Sequence, residues 1–597
     1  MAMSTILLLT FFSFIYGSAA THHVYRNLQS LSSDSSNQPY RTAYHFQPPK
    51  NWINGPLRYA GLYHLFYQYN PKGAVWGNIV WAHSVSKDLV NWTPLDPAIF
   101  PSQPSDINGC WSGSTTLLPG NKPVILYTGI DLLNQQVQNL AQPKNLSDPF
   151  LREWVKSPKN PLMAPTSANK INSSSFRDPT TAWLGKDGHW RVLVGSKRRT
   201  RGIAILYRSK DFVNWVQAKH PLYSILGSGM WECPDFFPVL NNDQLGVDTS
   251  VNGYDVRHVL KVSLDDKKHD YYMIGSYNAA KDAFIPDEES NEFVLRYDYG
   301  KYYASKTFFD DGKKRRILLG WANESSSVAA DIKKGWSGIH TIPRALWLHK
   351  SGKQLVQWPV VEVEKLRAYP VNLPPQVLKG GKLLPINGVT ATQQSFVLCS
   401  LQADVEISFE VSNLREAEVL DYWTDPQILC SKKGSSIKSG LGPFGLLVFA
   451  SEGLQEYTSV FFRIFRHQHK YLVLLCSDQS RFVLFVFSSY FHQLNFSPNS
   501  SDIQTHDRSS LNKDNDLTSY GTFVDVDPLH EKLSLRTLID HSVVESFGGE
   551  GRACITARVY PTLAINDEAQ LYAFNNGTAD VNITKLNAWS MKKAQIN

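Results

Sequence analysis

Between His45 and about Trp358 the chain consists of short apolar runs separated by Gly, Pro, Asn and Asp, with few stretches of helical period. Leu62–Tyr69, Ile79–Val85, Val124–Gly129, Trp190–Gly195, Ala204–Tyr207, Val259–Val262, Tyr271–Ser276 and Ile317–Trp321 each read as a strand. Lys186-Asp-Gly188 and Asp310-Asp-Gly312 read as hairpin turns. One unit recurs: Ser86-Lys-Asp-Leu-Val-Asn-Trp92 returns as Ser209-Lys-Asp-Phe-Val-Asn-Trp215, each after an apolar strand. A repeated strand-and-turn unit predicts radial repetition, hence a β-propeller, although two copies cannot count the blades. A short helical pattern is expected around Val361–Arg367. Tyr369-Pro-Val-Asn-Leu-Pro-Pro-Gln376 and Lys379-Gly-Gly381 then mark a domain boundary. Beyond it, alternation in Asp404–Val411, Tyr457–Arg466 and His541–Phe547 predicts an antiparallel β-sandwich. The expected fold class is all-β: a signal peptide over 1–20, a mobile leader over 21–44, the propeller over 45–366, a linker over 367–388 and the sandwich over 389–597.

Composition sharpens this picture in a few places. A length of 597 residues is enough for two or more domains. Sixteen Trp and 12% aromatics suit a β-rich core first and sugar-stacking platforms second. The first twenty residues carry no charged side chain; Ile6–Tyr16 is apolar and Ser18-Ala19-Ala20 offers a cleavage site, the pattern of a secretory signal. That run is too short to span a bilayer, so no membrane partner is expected. Asn-x-Ser/Thr sequons at Asn91, Asn145, Asn172, Asn323, Asn495, Asn499, Asn576 and Asn582 suit a secreted glycoprotein. A net charge of +7 predicts attraction to polyanions. The densest basic runs, Lys197-Arg-Arg-Thr-Arg201 and Lys313-Lys-Arg-Arg316, read as hairpin ends, and nothing resembles a nucleic-acid recognition element. Six cysteines allow 15 pairings if all are oxidised. No Cys or His spacing reads as a metal site, and no cofactor is expected.

The candidate chemistry lies in three blocks. The first is Asn51-Trp-Ile-Asn-Gly-Pro-Leu-Arg58 running into Tyr63-His-Leu-Phe-Tyr-Gln-Tyr-Asn-Pro71, which places Trp52, Asn54, Gln68 and Trp76 close together. The others are Phe176-Arg-Asp-Pro179 and Gly229-Met-Trp-Glu-Cys-Pro-Asp-Phe-Phe237. A lone Trp-Glu or Asp-Pro pair is ordinarily structural. The three together, in this order, resemble plant acid invertases and fructan exohydrolases, the β-fructofuranosidases.

That resemblance implies five blades, a β-sandwich partner and retaining hydrolysis of terminal β-D-fructofuranosides through two carboxyls about 5–5.5 Å apart. It assigns Glu232 as acid/base, its pKa raised by an aromatic neighbour and nearby carboxylates. Asp178 is the implied transition-state stabiliser. Arg177, Asn54, Gln68, Trp76, Trp111 and Ser112 are implied to line the fructosyl pocket. Cys430–Cys476 matches the position of a family disulfide, and Cys233 is expected to be free. Pro234 is the cell-wall type of residue. The resemblance further implies an apoplastic setting, with pectin as the polyanion and a proteinaceous inhibitor as a candidate partner.

The chain departs from the family in four places. The family reads Trp-Met/Ile-Asn-Asp-Pro-Asn-Gly-Pro in the first block, whereas this chain passes from Asn54 directly to Gly55. The absent Asp-Pro-Asn carries the family's nucleophile, and no Asp or Glu occurs between Asp34 and Asp88 to replace it. Gln394–Leu401 and Phe482–Arg508 are extra; the second opens with Phe482-Val-Leu-Phe-Val-Phe487, an aggregation hazard if exposed. In a Tyr-Asp-x-x-Lys segment that helps hold the glucosyl unit of sucrose, this chain has Tyr277-Asn278-Ala-Ala-Lys281. Asn278 thus favours fructans over sucrose. Sucrose remains the first expectation; the alternatives are a fructan exohydrolase and a silent carbohydrate-binding homologue. One deletion with two insertions at places where the family is continuous reads as a splicing or gene-model change, with Asp-Pro-Asn present in the natural mature protein.

Overall fold

The computed structural model describes residues 38–596 apart from 55–56, 60, 242, 288–294, 388–400, 480–514 and 566–567. Five sheets, antiparallel except where Asn51–Asn54 pairs with Trp336–Ser337, follow one another along the first half of the chain and form a five-bladed propeller. Their leading strands are Asn51–Asn54 with Leu57–Tyr59, then Gly109–Leu118, Phe176–Arg177, Trp231–Leu240 and Tyr303–Asp310. Behind each leading strand lies a second strand: Leu62–Tyr69, Lys122–Ile130, Trp190–Arg198, Val256–Leu264 and Arg315–Ala322. These second strands bury nearly every side chain, so they read as unbroken apolar runs rather than as alternation.

The repeated heptapeptide is a structural turn, found once in blade I and once in blade III. Asp88 Oδ1 accepts the backbone N–H groups of Val90 (3.1 Å) and Asn91 (2.8 Å), and Asp211 does the same for Val213 (3.0 Å) and Asn214 (2.7 Å). The central residue is left-handed in both, with φ of 65° at Leu89 and 64° at Phe212. Each Trp indole closes the turn on that residue's carbonyl at 3.1 Å.

Two seven-stranded sheets form the sandwich. Its boundary lies earlier than the sequence predicted. Arg367–Leu373 is no linker but a strand paired with Val581–Met591 at the edge of one sheet. Pro370 is tolerated there because the ladder is broken by a bulge between Ala368 and Pro370 on an edge strand. The leader also ends earlier than predicted. From Gln38 onward the chain is held: Gln38 Oε1 accepts the Trp336 indole N–H at 2.8 Å, and Ala43, Tyr44 and His45 donate their N–H groups to the Asp540 carboxylate at 2.7–2.9 Å. Val361–Leu366 forms the short helix, of 3-10 type.

One apolar cluster contains propeller residues such as Leu65 and Ile317 together with sandwich residues Leu538, Phe547 and Met591, so the two units share a core. Cys430 and Cys476 form a disulfide, and Cys110, Cys233 and Cys554 are free and buried. Among the sequons, Asn576 is buried with its amide on the Ser435 carbonyl at 2.9 Å, which leaves no room for a glycan. The expected signal peptide and the segments Gln394–Ser400 and Phe482–Arg508 lie outside the described residues. No helix among the described residues is long and apolar enough to cross a membrane.

Candidate active site

Four of the five leading strands are interrupted at the same level, and the interruptions build the site. In blade II the rungs Cys110↔Gly129 and Gly113↔Tyr127 set Trp111 and Ser112 against the single residue Thr128. In blade III, Arg177 pairs with Gly195 and the next main-chain bond joins Thr180 to Leu193, so Asp178 and Pro179 face Val194 alone. In blade IV, Glu232↔Ser263 and Asp235↔Lys261 leave Cys233 and Pro234 opposite Val262. In blade V, Tyr303↔Trp321 and Lys306↔Leu319 leave Ala304 and Ser305 opposite Gly320. An extra residue in one strand swings the neighbouring side chains out of the ladder, and here it turns them towards a common funnel. The left-handed φ values of Asp178 (68°), Cys233 (43°) and Ala304 (53°) mark where the backbone makes that swing.

The bulges are tied to one another. Asp178 N–H donates to Thr128 Oγ1 at 2.9 Å, and Cys233 N–H donates to Asp178 Oδ2 at 2.8 Å. Pro234 has no N–H to give, and its carbonyl accepts from the buried Lys306 ammonium at 2.8 Å. The fully buried Lys261 ammonium donates to the carbonyls of Cys233 (3.2 Å) and Ser305 (2.6 Å) and pairs with Asp270 at 3.1 Å. Asp270 in turn accepts the N–H groups of Ala304 (3.1 Å) and Ser305 (2.8 Å). Lys261 therefore clamps the bulge carrying Glu232 to the bulge carrying Tyr303.

Glu232 Oε1 accepts from Arg177 Nε (2.9 Å) and Nη2 (2.8 Å), and Oε2 accepts from the Tyr303 hydroxyl. Burial, aided by the nearby Asp178 and Asp265 carboxylates, holds the Glu232 carboxyl above the ordinary range, against the opposing pull of Arg177 and the Tyr303 hydrogen bond. An acid in that state can hand a proton to a leaving oxygen at mildly acidic pH. Arg177 also reaches Gln136 Oε1 at 3.2 Å and Asp265 Oδ2 at 3.4 Å.

Gln68, Trp76, Trp111, Ser112, Arg177, Asp178 and Glu232 line one cavity of about 930 Å³. Trp76 and Trp111 meet edge to face, ring centres 5.2 Å apart, and Trp76 is 57% exposed, a ready apolar wall for a sugar. The Gln68 amide donates to Ser112 Oγ. Asn54 enters only through its rung to Gln68, its side chain lying outside the described set.

Asn278 and Lys281 are not at the site. Register runs Glu232↔Ser263↔Asp270 at the cavity end of blade IV, whereas Asn278 follows Gly275, which pairs with His258 and through it with Pro238 at the opposite end. Antiparallel pairing puts the two ends of one strand on opposite faces of the propeller. The Asn278 side chain is spent on a turn, accepting the N–H groups of Ala280 and Lys281, both at 3.1 Å. The charged residues that do line the cavity wall include Asp265 and Lys268, whose ammonium bonds the Asp265 carboxylate. In the sequence, Asp265-Asp-Lys-Lys268 looks like an ordinary polar hairpin, and only the register shows that this hairpin caps the cavity. Tyr303 was also missed, as one Tyr in Lys301-Tyr-Tyr-Ala304. Gln427, Thr518 and Tyr520 bring the sandwich to the outer wall, a contact that no local pattern could signal.

A buried acid aligned by an arginine, a second carboxylate on the adjacent bulge and an aromatic wall in a sugar-sized cleft define a glycoside hydrolase. The Glycosyl hydrolases family 32 N-terminal domain matches residues 45–359, and the family's C-terminal domain matches residues 377–590. The chain belongs to glycosyl hydrolase family 32. It is 70% identical over 585 residues to a beta-fructofuranosidase, cell wall isozyme, of Pisum sativum, covering 96% of this chain and 99% of the relative. It is 59% identical over 572 residues to a fructan 6-exohydrolase of Beta vulgaris, covering 94% and 88%. The crystal structure of fructan 1-exohydrolase IIa from Cichorium intybus superposes with a TM-score of 0.85 at 51% identity, over 94% of this chain and 98% of that one.

Proposed function

We propose that this chain is a secreted, cell-wall β-fructofuranosidase by descent, whose acid half is complete and whose nucleophile is absent. Glu232 is its acid/base, and Asp178 and Arg177 hold the fructosyl unit. It binds terminal β-D-fructofuranosides, sucrose first, and cleaves them with retention when an attacking carboxylate is supplied. The observation that carries this is the contrast among leading strands. Blades II to V each hold one residue more than their partner strand at the level of the site. In blade I the rungs Asn54↔Gln68 and Leu57↔His64 set two positions against three, so that strand is short where the other four are long. The shortfall falls at the junction where the family carries Asp-Pro-Asn. Losing a covalent nucleophile removes several orders of magnitude of rate.

Sucrose leads because of Asp265 and Lys268, a charged pair at the outer wall beside Glu232 able to hydrogen-bond a leaving sugar. Asn278 no longer supports a fructan preference, being remote from the cavity. The positive net charge supports retention on wall polyanions. The experiment has two arms. Protein isolated from the source tissue is digested with trypsin, and the peptide between Lys50 and Arg58 is weighed. Fructose release from sucrose, inulin and levan is then measured on the same sample. We expect Asn51–Arg58 without an insert to accompany fructoside binding and negligible turnover; rapid turnover with that uninterrupted peptide overturns the proposal.

A further inference from the structure

The two basic runs have opposite fates in the fold. In Lys313–Arg316 three of the four cations are engaged: Lys313 bonds Glu362, Arg315 bonds Glu362 at 2.6 Å and Asp310 at 2.9 Å, and Arg316 is buried over the Phe237 ring at 4.6 Å, which leaves Lys314 alone exposed without a carboxylate among the described residues. In Lys197–Arg201 they are left free. The run forms the hairpin that closes on the rung Arg198↔Arg201, just beyond the rung Arg177↔Gly195, so it stands above the mouth of the cavity.

Its neighbour is the hairpin after Leu264. Thr200 C=O accepts the Gly229 N–H at 3.0 Å, and Gly229 lies against Asp266: a Cβ placed there would be 2.3 Å from Asp266 Oδ2. Lys267 and Lys268 follow and line the cavity mouth. Arg198, Arg199 and Lys267 are exposed, and Arg201 donates to the oxygens of Ser224 (3.3 and 3.5 Å). Among the described residues none of Lys197, Arg198, Arg199, Arg201 and Lys267 forms an ion pair; Lys268 is taken by Asp265. Six cations (Lys197, Arg198, Arg199, Arg201, Lys267, Lys268) less two carboxylates (Asp265, Asp266) leave four positive charges on one rim.

A neutral fructoside offers no counter-charge to the five cations outside the Asp265–Lys268 pair. No aromatic residue occurs in either 197–201 or 265–268, so the rim lacks the base-stacking platform that single-stranded nucleic acid requires. Guanidinium forks on an exposed tip match carboxylates. We propose that this rim of blades III and IV is the docking surface for a linear polyuronate, which it holds across the entrance to the cleft. It reads binding rather than turnover, so it stands or falls separately from the fructoside reading.

The test uses the full chain and polygalacturonate over a sodium chloride series. One variant carries Lys197→Ser, Arg198→Ser, Arg199→Ser and Arg201→Ser. A charge-matched control carries Lys186→Ser, Lys210→Ser, Lys350→Ser and Lys353→Ser, all at exposed sites elsewhere. The rim variant is expected to bind about tenfold more weakly at low salt, with a shallower salt dependence, while the control stays within about twofold. Equal losses in both variants, or an unchanged rim variant, overturn the proposal. If the fourfold variant does not fold, Arg198→Ser with Arg199→Ser at the tip is expected to lose about threefold, and no loss there overturns it equally.

Discussion

The leading strands of blades IV and I meet the same cavity and are treated differently by the chain. Blade IV has one extra residue, fixed by a proline without a donor, a left-handed Cys233 and two buried ammonium groups on its carbonyls. Blade I is short and has no acidic side chain nearby in sequence. The lesson is that a propeller presents chemistry through irregularity. A regular ladder points alternate side chains at the neighbouring blades, whereas an added residue releases a carboxyl into the funnel.

The sharpest way to break this contrast is to repair blade I. Inserting Asp-Pro-Asn between Asn54 and Gly55 is expected to raise fructose release from sucrose by about a thousandfold or more. An insert that folds yet leaves the rate unchanged would remove the nucleophile argument. In the repaired chain, Glu232→Gln is then expected to cost about 10²–10⁴ in kcat on sucrose with little change in thermal unfolding. An intact rate would place the acid elsewhere.

The clamp comes next. Lys261→Met leaves Asp270 buried opposite no cation and is expected to cost about 3–5 kcal/mol of stability in urea unfolding. Lys306→Met removes one donor from the Pro234 carbonyl and is expected to cost about 1–3 kcal/mol. Equal, negligible losses would show that the bulge needs no clamp.

The domain junction gives a pH signature. Burial alone would lower the His45 pKa, but hydrogen bonds and charge from Asp540 and Glu545 outweigh it and hold it above the usual value. The same contacts, with Arg344, hold Glu545 below its usual range, and His45 with His541 does the same for Asp540. A raised folded pKa contributes stability that is complete below the unfolded value of about 6.5 and is lost as pH rises through the folded one. The depressed carboxylates act oppositely, contributing above about 4 and losing that contribution in acid. Melting temperature should therefore be highest at mildly acidic pH and decline towards alkaline pH. His45→Gln should flatten the alkaline side; an unaltered profile would exclude His45 as its source. Smallest of all, in the repaired chain Asn278→Ala is expected to change sucrose KM by less than about twofold, whereas Asp265→Ala should raise it several-fold, because only the second lines the cavity.

The chain alone determined a good deal. Strand content, the repeated Asp-centred turn and the domain order are local properties, set by side-chain type and by hydrogen bonds spanning two or three residues. Arg177, Asp178 and Glu232 were legible because their blocks are contiguous. What only the tertiary structure decided was whatever depends on which end of a strand faces the axis. Asn278 and Asp265 lie on either side of the same hairpin strand, yet antiparallel register sends one to the cavity and the other to the far face. The same holds for the two basic runs: composition makes them equal, and only packing sets Lys313 and Arg315 on Glu362 and Asp310 and buries Arg316, while Lys197–Arg201 forms no ion pair among the described residues. Charge pairing and strand register act across distances that sequence neighbours do not report.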